Sequence, residues 1–534
     1  MKIALAQINP TVGALLNNAE KISTIIKKHS SKCDIIIFPE MSLTGYPPQD
    51  LLLDNVFIEK TSDALKKIVD SVMDVPVILG TIRKDGGSLY NTAAILKNGE
   101  VLTYRDKSHL PTYDVFDEDR YFSSSVEIKP VELELGGKSI KLGVQICEDL
   151  WDDDYEVKVS SDLVGKGADM LINISASPFH INRAIQRLDI INSKVDKLKC
   201  YFIYCNLVGA QDELVFDGQS CIVNPSGKLV ASLPAFKEIV EIINFDDINV
   251  IERKRACEEE EMLNALCLGV KDYFIKTGHV KAVVGLSGGI DSALTATIAK
   301  NALGSKNVIG ISMPSIYSSD HSVEDARLLA KNLGIDFQMI PIKKINKQML
   351  DDLSPILNGS SGLAEENLQA RIRGNILMAV ANKEKALLLN TGNKTETALG
   401  YCTMYGDMAG ALGVISDLNK TQVYALSRWI NDDAEMELIP QSSIDKPPSA
   451  ELKPDQVDPF DYDVVSPLVD KIISDPQNLD SLEDDGYSSE LISDILKRVR
   501  ISEYKRRQAA PGIRVSHKAF GVGRRYPIVN KFDA

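Results

Sequence analysis

The chain has 534 residues, of which 44% are hydrophobic and 25% charged. This composition excludes a disordered, collagen-like or coiled-coil protein and predicts several domains. The net charge of −15 disfavours duplex DNA or an anionic membrane surface as the main partner. No apolar stretch approaches the roughly 18 residues of a membrane helix, and the N-terminus is too weakly apolar for a signal peptide. Eight cysteines without a CxxC pair argue against a disulfide framework or a zinc site. We expect a cytoplasmic protein that binds neither nucleic acid nor membrane.

The first half of the chain alternates short apolar runs with helical periods. Turn residues bound these runs, a pattern typical of strands buried on both faces. The clearest runs are Ile35–Phe38, Val77–Gly80, Lys141–Ile146 and Tyr201–Tyr204. A last strand near residues 239–243 and a charged stretch after it predict a domain over 1–245 and a linker over 246–260.

The second half begins with a helix predicted at about 260–277. Strands at 281–286 and 308–313 then alternate with helices at 292–303 and 321–333, which predicts a parallel sheet. A segment rich in Pro and Asp, 441–463, is predicted to be a long loop. We assign residues 261–534 to this second domain.

Glu40, Lys107 and Cys147 form the first set of chemically interesting residues. Glu40 and Cys147 end strand-like runs, the position where α/β sheets present their chemistry. A thiol attacking a carbonyl needs a base for its proton and a cation for the oxyanion, which Glu40 and Lys107 would supply. Taken alone, however, a cysteine at a strand end is usually a small buried hydrophobe.

The sequence around these residues resembles the carbon–nitrogen hydrolase (nitrilase) superfamily over about residues 1–245. The strings are Phe38-Pro39-Glu40, Lys107-Ser108-His109-Leu110-Pro111-Thr112-Tyr113 and Cys147-Glu148-Asp149-Leu150-Trp151, in the family's order. The resemblance implies an α-β-β-α sandwich. It also implies Glu40 as general base, Lys107 as oxyanion-stabilising cation and Cys147 as nucleophile.

In members of that superfamily that use glutamine, matching positions hold the amino-acid end of the substrate. The resemblance implies that Tyr113, Glu148, Ser177 and Arg183 bind glutamine, with Ser175 as an alternative to Ser177. Arg183 departs mildly from the lysine common in relatives, although arginine can bind a carboxylate bidentately. The alternative interpretation is a capping serine and a surface arginine.

A glycine-rich loop joins a strand to a helix in the second half. Glycines let a backbone approach an anion at a helix N-terminus, and the spacing matches neither the Walker loop nor the dinucleotide fingerprint. The string Gly285-Leu286-Ser287-Gly288-Gly289-Ile290-Asp291-Ser292 resembles the pyrophosphate loop of the N-type ATP pyrophosphatases. The resemblance implies ATP contacts by Gly285, Leu286, Ser287, Gly288, Gly289, Ile290, Asp291 and Ser292. Asp291 would also be a Mg²⁺ ligand.

Later strings resemble the NAD synthetase family over about residues 260–534. They include Glu365 to Gly374, Leu387 to Glu396, Gly400 to Gly410 and Asp417 to Val423. The resemblance implies that Thr391 contacts ATP and that Glu396 faces the metal and deamido-NAD. It further implies that Asn367, Arg371 and Lys505 line the deamido-NAD site and that Lys446 closes over the phosphates. For Asn367 and Arg371 the alternative is an exposed helix face.

The C-terminal segment 497–534 carries eleven Lys and Arg but two Asp and Glu. A basic cluster in an acidic protein indicates a phosphate-rich ligand or an acidic partner surface. RNA is the competing partner, but no RNA-binding motif accompanies the cluster.

Together the halves resemble the glutamine-dependent NAD synthetases. The resemblance implies glutamine, deamido-NAD⁺ and ATP as substrates and Mg²⁺ as cofactor. It also implies a homodimer through the synthetase domains or a higher oligomer. Amidation of another carboxylate, such as nicotinate mononucleotide, is an alternative. So are a simple amide hydrolase and a nucleotide-binding regulator, although both motif sets are complete. Because free ammonia is mostly protonated at neutral pH, we hypothesise a sealed passage for it. The predicted fold class is α/β, with a nitrilase-like sandwich followed by a Rossmann-like parallel-sheet ATP pyrophosphatase domain.

Overall fold

The computed structural model describes residues 1–253, 255–357, 362–453, 456–476, 478–479 and 481–532. The chain forms two compact units, Met1–Ala256 and Cys257–Ala534. Among the described residues, no helix has the length and apolar character needed to cross a membrane.

Over its described residues, the first unit is built mainly of strands and has four α-helices. Its strands are β1 (Lys2–Gln7), β2 (Ile35–Ile37), β3 (Val77–Asp85), β4 (Ser88–Lys97), β5 (Glu100–Asp106), β6 (Val131–Leu135), β7 (Lys138–Ile146), β8 (Met170–Ser175), β9 (Tyr201–Asn206), β10 (Val208–Gln211), β11 (Leu214–Asp217), β12 (Cys221–Val223), β13 (Leu229–Ser232) and β14 (Ile239–Asn244). Its helices are α1 (Leu15–His29), α2 (Asn55–Val69), α3 (Val159–Gly165) and α4 (Arg183–Leu198).

Two six-stranded sheets stack face to face in this unit, in the orders β14-β1-β2-β3-β4-β5 and β13-β12-β9-β8-β7-β6. Alternate residues of a strand point to opposite faces. In β1, Ile3 and Leu5 therefore enter the core shared by the two sheets, whereas Ala4 and Ala6 pack in the core that includes residues of α1 and α2. Residues of α3 and α4 cover the second sheet. The predicted α-β-β-α sandwich is confirmed.

The second unit contains strands β15 (Ala282–Gly285), β16 (Val308–Ser312), β17 (Asp336–Met339), β18 (Leu387–Asn390) and β19 (Leu412–Gly413). Its helices are α5 (Glu258–Thr277), α6 (Ile290–Leu303), α7 (Asp320–Leu333), α8 (Lys343–Leu357), α9 (Leu363–Glu384), α10 (Lys394–Leu399), α11 (Lys420–Asp433), α12 (Gln441–Asp445), α13 (Tyr462–Ser474), α14 (Ser481–Asp484), α15 (Ser489–Ile501) and α16 (Glu503–Arg506).

The strands of the second unit form one sheet in the order β17-β16-β15-β18-β19, and all neighbouring pairs are parallel. This confirms the predicted Rossmann-like sheet. The carboxyl ends of β15 and β18 meet at one edge, and ligands of open α/β sheets bind at such an edge.

Two sequence predictions differ from the structure in detail. Helix α5 begins at Glu258, inside the predicted linker, and the four glutamates of its first turn suit the positive end of the helix dipole. The predicted loop over 441–463 begins with the short helix α12, which follows Pro440. Its residues Pro454 and Asp455 lie outside the described residues.

Candidate active sites

A buried ion-pair network lies in the first unit, where Glu40 follows β2 and Lys107 follows β5. The Lys107 ammonium lies 2.8 Å from Glu40 Oε1 and 2.9 Å from Glu118. Glu40 and Lys107 are at most 1% exposed and Glu118 is 5% exposed. Asn91 donates from Nδ2 to Glu40 Oε1 at 2.7 Å, and the Ala176 N–H donates to Oε2 at 2.8 Å. Glu40 is therefore held at both oxygens.

Cys147 occupies a sharp turn at the end of β7. Its φ angle is +42°, in the left-handed region that costs a non-glycine residue of order 1–3 kcal/mol. The residue opens the 3₁₀ turn Cys147–Leu150. Burial and the nearby charge of Glu40 raise the pKa of the Cys147 thiol well above its ordinary value, and Lys107 offsets part of this rise. The resting group is therefore a neutral thiol that needs a base.

The pKa values of the buried network respond to the same charges. Burial lowers the pKa of Lys107, but Glu118 and Glu40 outweigh it, so that the ammonium is retained. Burial raises the pKa of Glu118 to about 7, against the lowering effect of Lys107. Glu118 thus titrates near neutrality beside the ammonium.

Three of the residues predicted to contact glutamine lie near Cys147. Tyr113 donates its hydroxyl to both oxygens of Glu148, at 3.0 and 3.1 Å, and Tyr155 donates to Oε1 at 3.2 Å. Burial raises the pKa of Glu148, and the positive charge of Lys107 offsets part of this rise. Arg183 begins α4 and stacks over Trp151 with its guanidinium carbon 3.9 Å from the ring centroid. The Arg183 residue is half-buried.

The two candidate serines after β8 differ in their hydrogen bonds. Ser175 donates its hydroxyl to Asn173. The Ser177 hydroxyl is buried and finds no hydrogen-bond partner within the described part of the chain. Since buried hydroxyls normally have partners, Ser177 is the better candidate for a ligand contact.

The glycine loop of the second unit connects β15 to α6. Gly288 has a φ angle of +82°, and a Cβ atom there would lie 2.2 Å from the Ser322 carbonyl oxygen. Ser287 of the loop and Ser292 of the first turn of α6 have their hydroxyls 3.2 Å apart. Leu286 and Ile290 are buried in the core. These two residues can therefore offer a ligand little beyond their backbone.

Asp291 and Glu396, the two predicted metal ligands, lie on either side of one ammonium. Lys420 Nζ is 2.5 Å from Asp291 Oδ2 and 3.6 Å from Glu396 Oε1. Asn393 donates to Asp291 Oδ1 at 2.9 Å and caps α10. Burial and the Asp291 charge raise the pKa of Glu396 to about 8. Across the described residues, no three or more His, Cys, Asp or Glu residues form a metal-binding group.

Lys446 lies in a small polar cluster beyond α12. Its ammonium contacts Glu451 Oε1 and the Ser322 hydroxyl. Glu451 Oε1 also accepts from Ser322 at 2.6 Å and from Ser319 at 3.2 Å. Ser443, within α12, donates to the Gly288 carbonyl at 3.0 Å. The segment that carries Lys446 is therefore tied to the glycine loop.

The three residues predicted to line the deamido-NAD site all bind one segment, 400–404. Lys505 donates to the carbonyls of Gly400 and Cys402, at 2.7 Å each. Asn367 accepts from Thr403 at 2.7 Å, and Arg371 donates to the Met404 carbonyl at 3.3 Å. Asn367 and Arg371 are half-buried, not on an exposed face. Thr391 follows β18 and is half-buried.

The sequence interpretation missed Glu118 and Lys420. Glu118 opens a short 3₁₀ turn, Glu118–Arg120, and has no motif of its own. Lys420 is part of a string that resembles the synthetases, but its chemistry becomes visible only when α11 brings it beside Asp291. Buried charged side chains are the signal that identifies both.

The fold and these sites define the class of protein: an amidase-type sandwich joined to an ATP-using synthetase sheet. The family model "Carbon-nitrogen hydrolase" matches residues 2–252 and the model "NAD synthase" matches residues 262–509. The chain is 44% identical to a glutamine-dependent NAD(+) synthetase of Synechocystis, covering 99% of each chain. It is 39% identical to one from Thermotoga maritima, covering 100% of this chain and 99% of the relative.

A solved structure of a glutamine-dependent NAD+ synthetase from Acinetobacter baumannii, in complex with ADP, superposes with a TM-score of 0.80. The two sequences are 35% identical, and the match covers 99% of this chain and 98% of the solved chain. The chain belongs to the glutamine-dependent NAD(+) synthetase family.

Proposed function

We propose that the protein hydrolyses glutamine in its first unit and uses the ammonia in its second unit to amidate deamido-NAD⁺, with ATP cleaved to AMP and pyrophosphate. The observation that carries this proposal is that one chain holds a buried Glu40–Lys107–Cys147 set and a phosphate-type glycine loop beside Asp291 and Glu396. Full-length similarity to glutamine-dependent NAD(+) synthetases supports the pairing of the two activities.

In the first unit, Cys147 Sγ attacks the carboxamide carbon while Glu40 takes the thiol proton. The developing oxyanion is stabilised by the Lys107 ammonium. Glu40 then gives the proton to the leaving nitrogen, the C–N bond breaks, and ammonia departs from a thioester. Glu40 next takes a proton from water as the water attacks the thioester, which releases glutamate and restores the thiol.

The amino-acid end of glutamine meets charged groups of both signs. Arg183 suits the α-carboxylate, since its guanidinium can bind bidentately. The Glu148 carboxylate suits the α-ammonium, and Tyr113 holds it in place. The Ser177 hydroxyl, buried and without a described partner, supplies a further hydrogen bond.

In the second unit, the nicotinate carboxylate attacks the α-phosphorus of ATP and pyrophosphate leaves. Ammonia then displaces AMP from the acyl adenylate. The glycine loop and the N-terminus of α6 bind phosphate oxygens, with Leu286 and Ile290 contributing backbone alone. Lys420 pairs with Asp291 and lies near Glu396, which puts an ammonium at the same edge. Thr391 lies at the end of β18, beside this edge, as an ATP contact, and Lys446 contacts phosphates when its segment closes.

The Asp291 and Glu396 carboxylates fit Mg²⁺, because they offer hard oxygens beside a phosphate loop and Mg²⁺ usually shares such carboxylates with substrate phosphates. Bound there, Mg²⁺ would neutralise charge on the pyrophosphate leaving group. Asn367, Arg371 and Lys505 shape the wall of the deamido-NAD site by fixing segment 400–404. A homodimer through the synthetase units stays a prediction, which sedimentation would test.

Nitrogen-source kinetics test the proposal. Purified protein receives deamido-NAD⁺, ATP and Mg²⁺ with either glutamine or ammonium, and NAD⁺, AMP and glutamate are assayed. NAD⁺ from both sources, with AMP matching NAD⁺, is the expected result.

The Cys147→Ala variant divides the two activities. We expect it to lose glutamine-dependent synthesis and keep ammonium-dependent synthesis, since the second unit holds its own site. Loss of both activities would contradict the division of labour. Glutamate release without NAD⁺ in the parent would refute deamido-NAD⁺ as the acceptor, and nicotinate mononucleotide would be tried next.

A further inference from the structure

Asp149 lies two residues after Cys147 and is completely buried, with an exposed fraction of 0%. Its Oδ1 accepts the backbone N–H groups of Ser108 and His109, each at 3.0 Å. Its Oδ2 accepts the N–H of Ile146 at 3.0 Å. One carboxylate therefore binds two chain segments that are distant in sequence.

These two segments carry two of the reacting groups. Ser108 directly follows Lys107, and Ile146 directly precedes Cys147. The guanidinium of Arg105 lies 3.5 Å from Asp149 Oδ2 and donates to the Ser108 hydroxyl at 2.9 Å, which adds a cation to the same contact.

We propose that Asp149 is a positioning residue for the amidase reaction, fixing the turn of Cys147 against the loop of Lys107. This inference rests on the proposed roles of those two residues. An ionised carboxylate accepts several N–H donors at once. An asparagine in its place has a single carbonyl oxygen, so its NH₂ group would face at least one of the backbone donors.

The expected consequence is a misplaced nucleophile with intact substrate binding. A displacement of about 1 Å can cost about 100-fold in rate. The glutamine contacts have other supports, since Glu148 is held by Tyr113 and Tyr155. We therefore expect the loss in kcat and little change in KM.

The test is Asp149→Asn in the full chain, with Asp169→Asn as matched control. Asp169 is an exposed aspartate of the same unit whose Oδ2 accepts one backbone N–H, from Lys141, at 2.7 Å. Three assays are run. They give the glutaminase kcat and KM, the rate of ammonium-dependent NAD⁺ synthesis, and the pH dependence of iodoacetamide alkylation at Cys147, followed by peptide mass spectrometry.

For Asp149→Asn we expect a glutaminase kcat about 100-fold lower and a KM within about threefold of the parent. The alkylation midpoint should move to higher pH, because a displaced Lys107 stabilises the thiolate less. Ammonium-dependent synthesis and the control variant should match the parent.

A parent-like kcat would overturn the proposal. So would a reduced kcat whose alkylation midpoint is unchanged, since that indicates general damage. If Asp149→Asn fails to fold, Arg105→Lys is measured instead: Asp149 keeps its three backbone contacts, but the guanidinium donors to the Ser108 hydroxyl and the Asp106 carbonyl are lost and the cation beside Asp149 is displaced. A kcat about tenfold lower is then expected, and parent-like values refute the idea. If the parent itself lacks glutaminase activity that depends on Cys147, the proposed function fails instead.

Discussion

Replacing Glu118 by glutamine removes one charge from the buried network without changing its shape. Glu118 Oε1 accepts from Lys107 and from the Tyr46 hydroxyl, both at 2.9 Å, and Oε2 accepts from Asn91 at 3.4 Å. A glutamine carbonyl can keep the first two contacts, but the NH₂ group that replaces Oε2 then faces the Lys107 ammonium, 2.9 Å from Oε2, and the Asn91 donor. Losing one charge-assisted hydrogen bond costs about 1.5–3 kcal/mol. We therefore expect glutaminase kcat to fall about 10- to 100-fold.

The same substitution predicts a pH dependence of stability. Burial raises the pKa of Glu118 from 4.5 to about 7, so the folded state binds this proton more tightly than the unfolded chain does. The resulting stability is fully present below about pH 4.5 and is lost as pH rises through 7. The shift corresponds to about 3 kcal/mol. Because glutamine does not titrate, Glu118→Gln should gain about that much relative to the parent between pH 4.5 and 8.

The chain offers a way to observe this unit alone. It contains two tryptophans, Trp151 and Trp429, one in each unit. In a Trp429→Phe background, Trp151 fluorescence during urea unfolding reports on the first unit, and ammonium-dependent synthesis checks the second. A stability difference that stays constant with pH, or a glutaminase kcat within threefold of the parent, would refute the reasoning.

Three further predictions concern single side chains. Asp291→Asn should lower NAD⁺ synthesis about 100-fold with either nitrogen source, while glutamine hydrolysis persists. Steady-state assays of NAD⁺ and glutamate check this, and a variant with full synthesis activity would contradict the metal assignment. Ser177→Ala should raise the KM for glutamine about tenfold. The free energy of unfolding should change little, because the Ser177 hydroxyl has no partner among the described residues. Ser175→Ala is the control, and an unchanged KM in Ser177→Ala would remove Ser177 from the proposed site. Glu451→Gln should lower the KM for ATP, because Glu451 now binds the Lys446 ammonium; a raised KM would mean that the ion pair assists binding.

The strand and helix pattern was predictable where local chemistry decides it. Apolar runs bounded by turn residues became the buried strands β2, β3, β7 and β9, and the alternation after residue 280 became the parallel sheet. A boundary shifted where charges that suit the helix dipole lie at the start of an element, as in the acidic first turn of α5. The short helix α12 was missed because its five residues carry no periodic signal.

The sequence by itself determined which residues are proposed to react and the order in which they occur, since Glu40, Lys107, Cys147 and the loop at Asp291 each lie in a local string with its own chemistry. Only the tertiary structure decided which additional charges surround them. Glu118 and Lys420 acquire their roles from burial beside groups that are distant along the chain. The preference for Ser177 over Ser175 as the proposed glutamine contact likewise rests on which hydroxyl the fold leaves without a described partner. Hydrogen bonding, burial and pKa depend on neighbours in space, which a linear string does not contain.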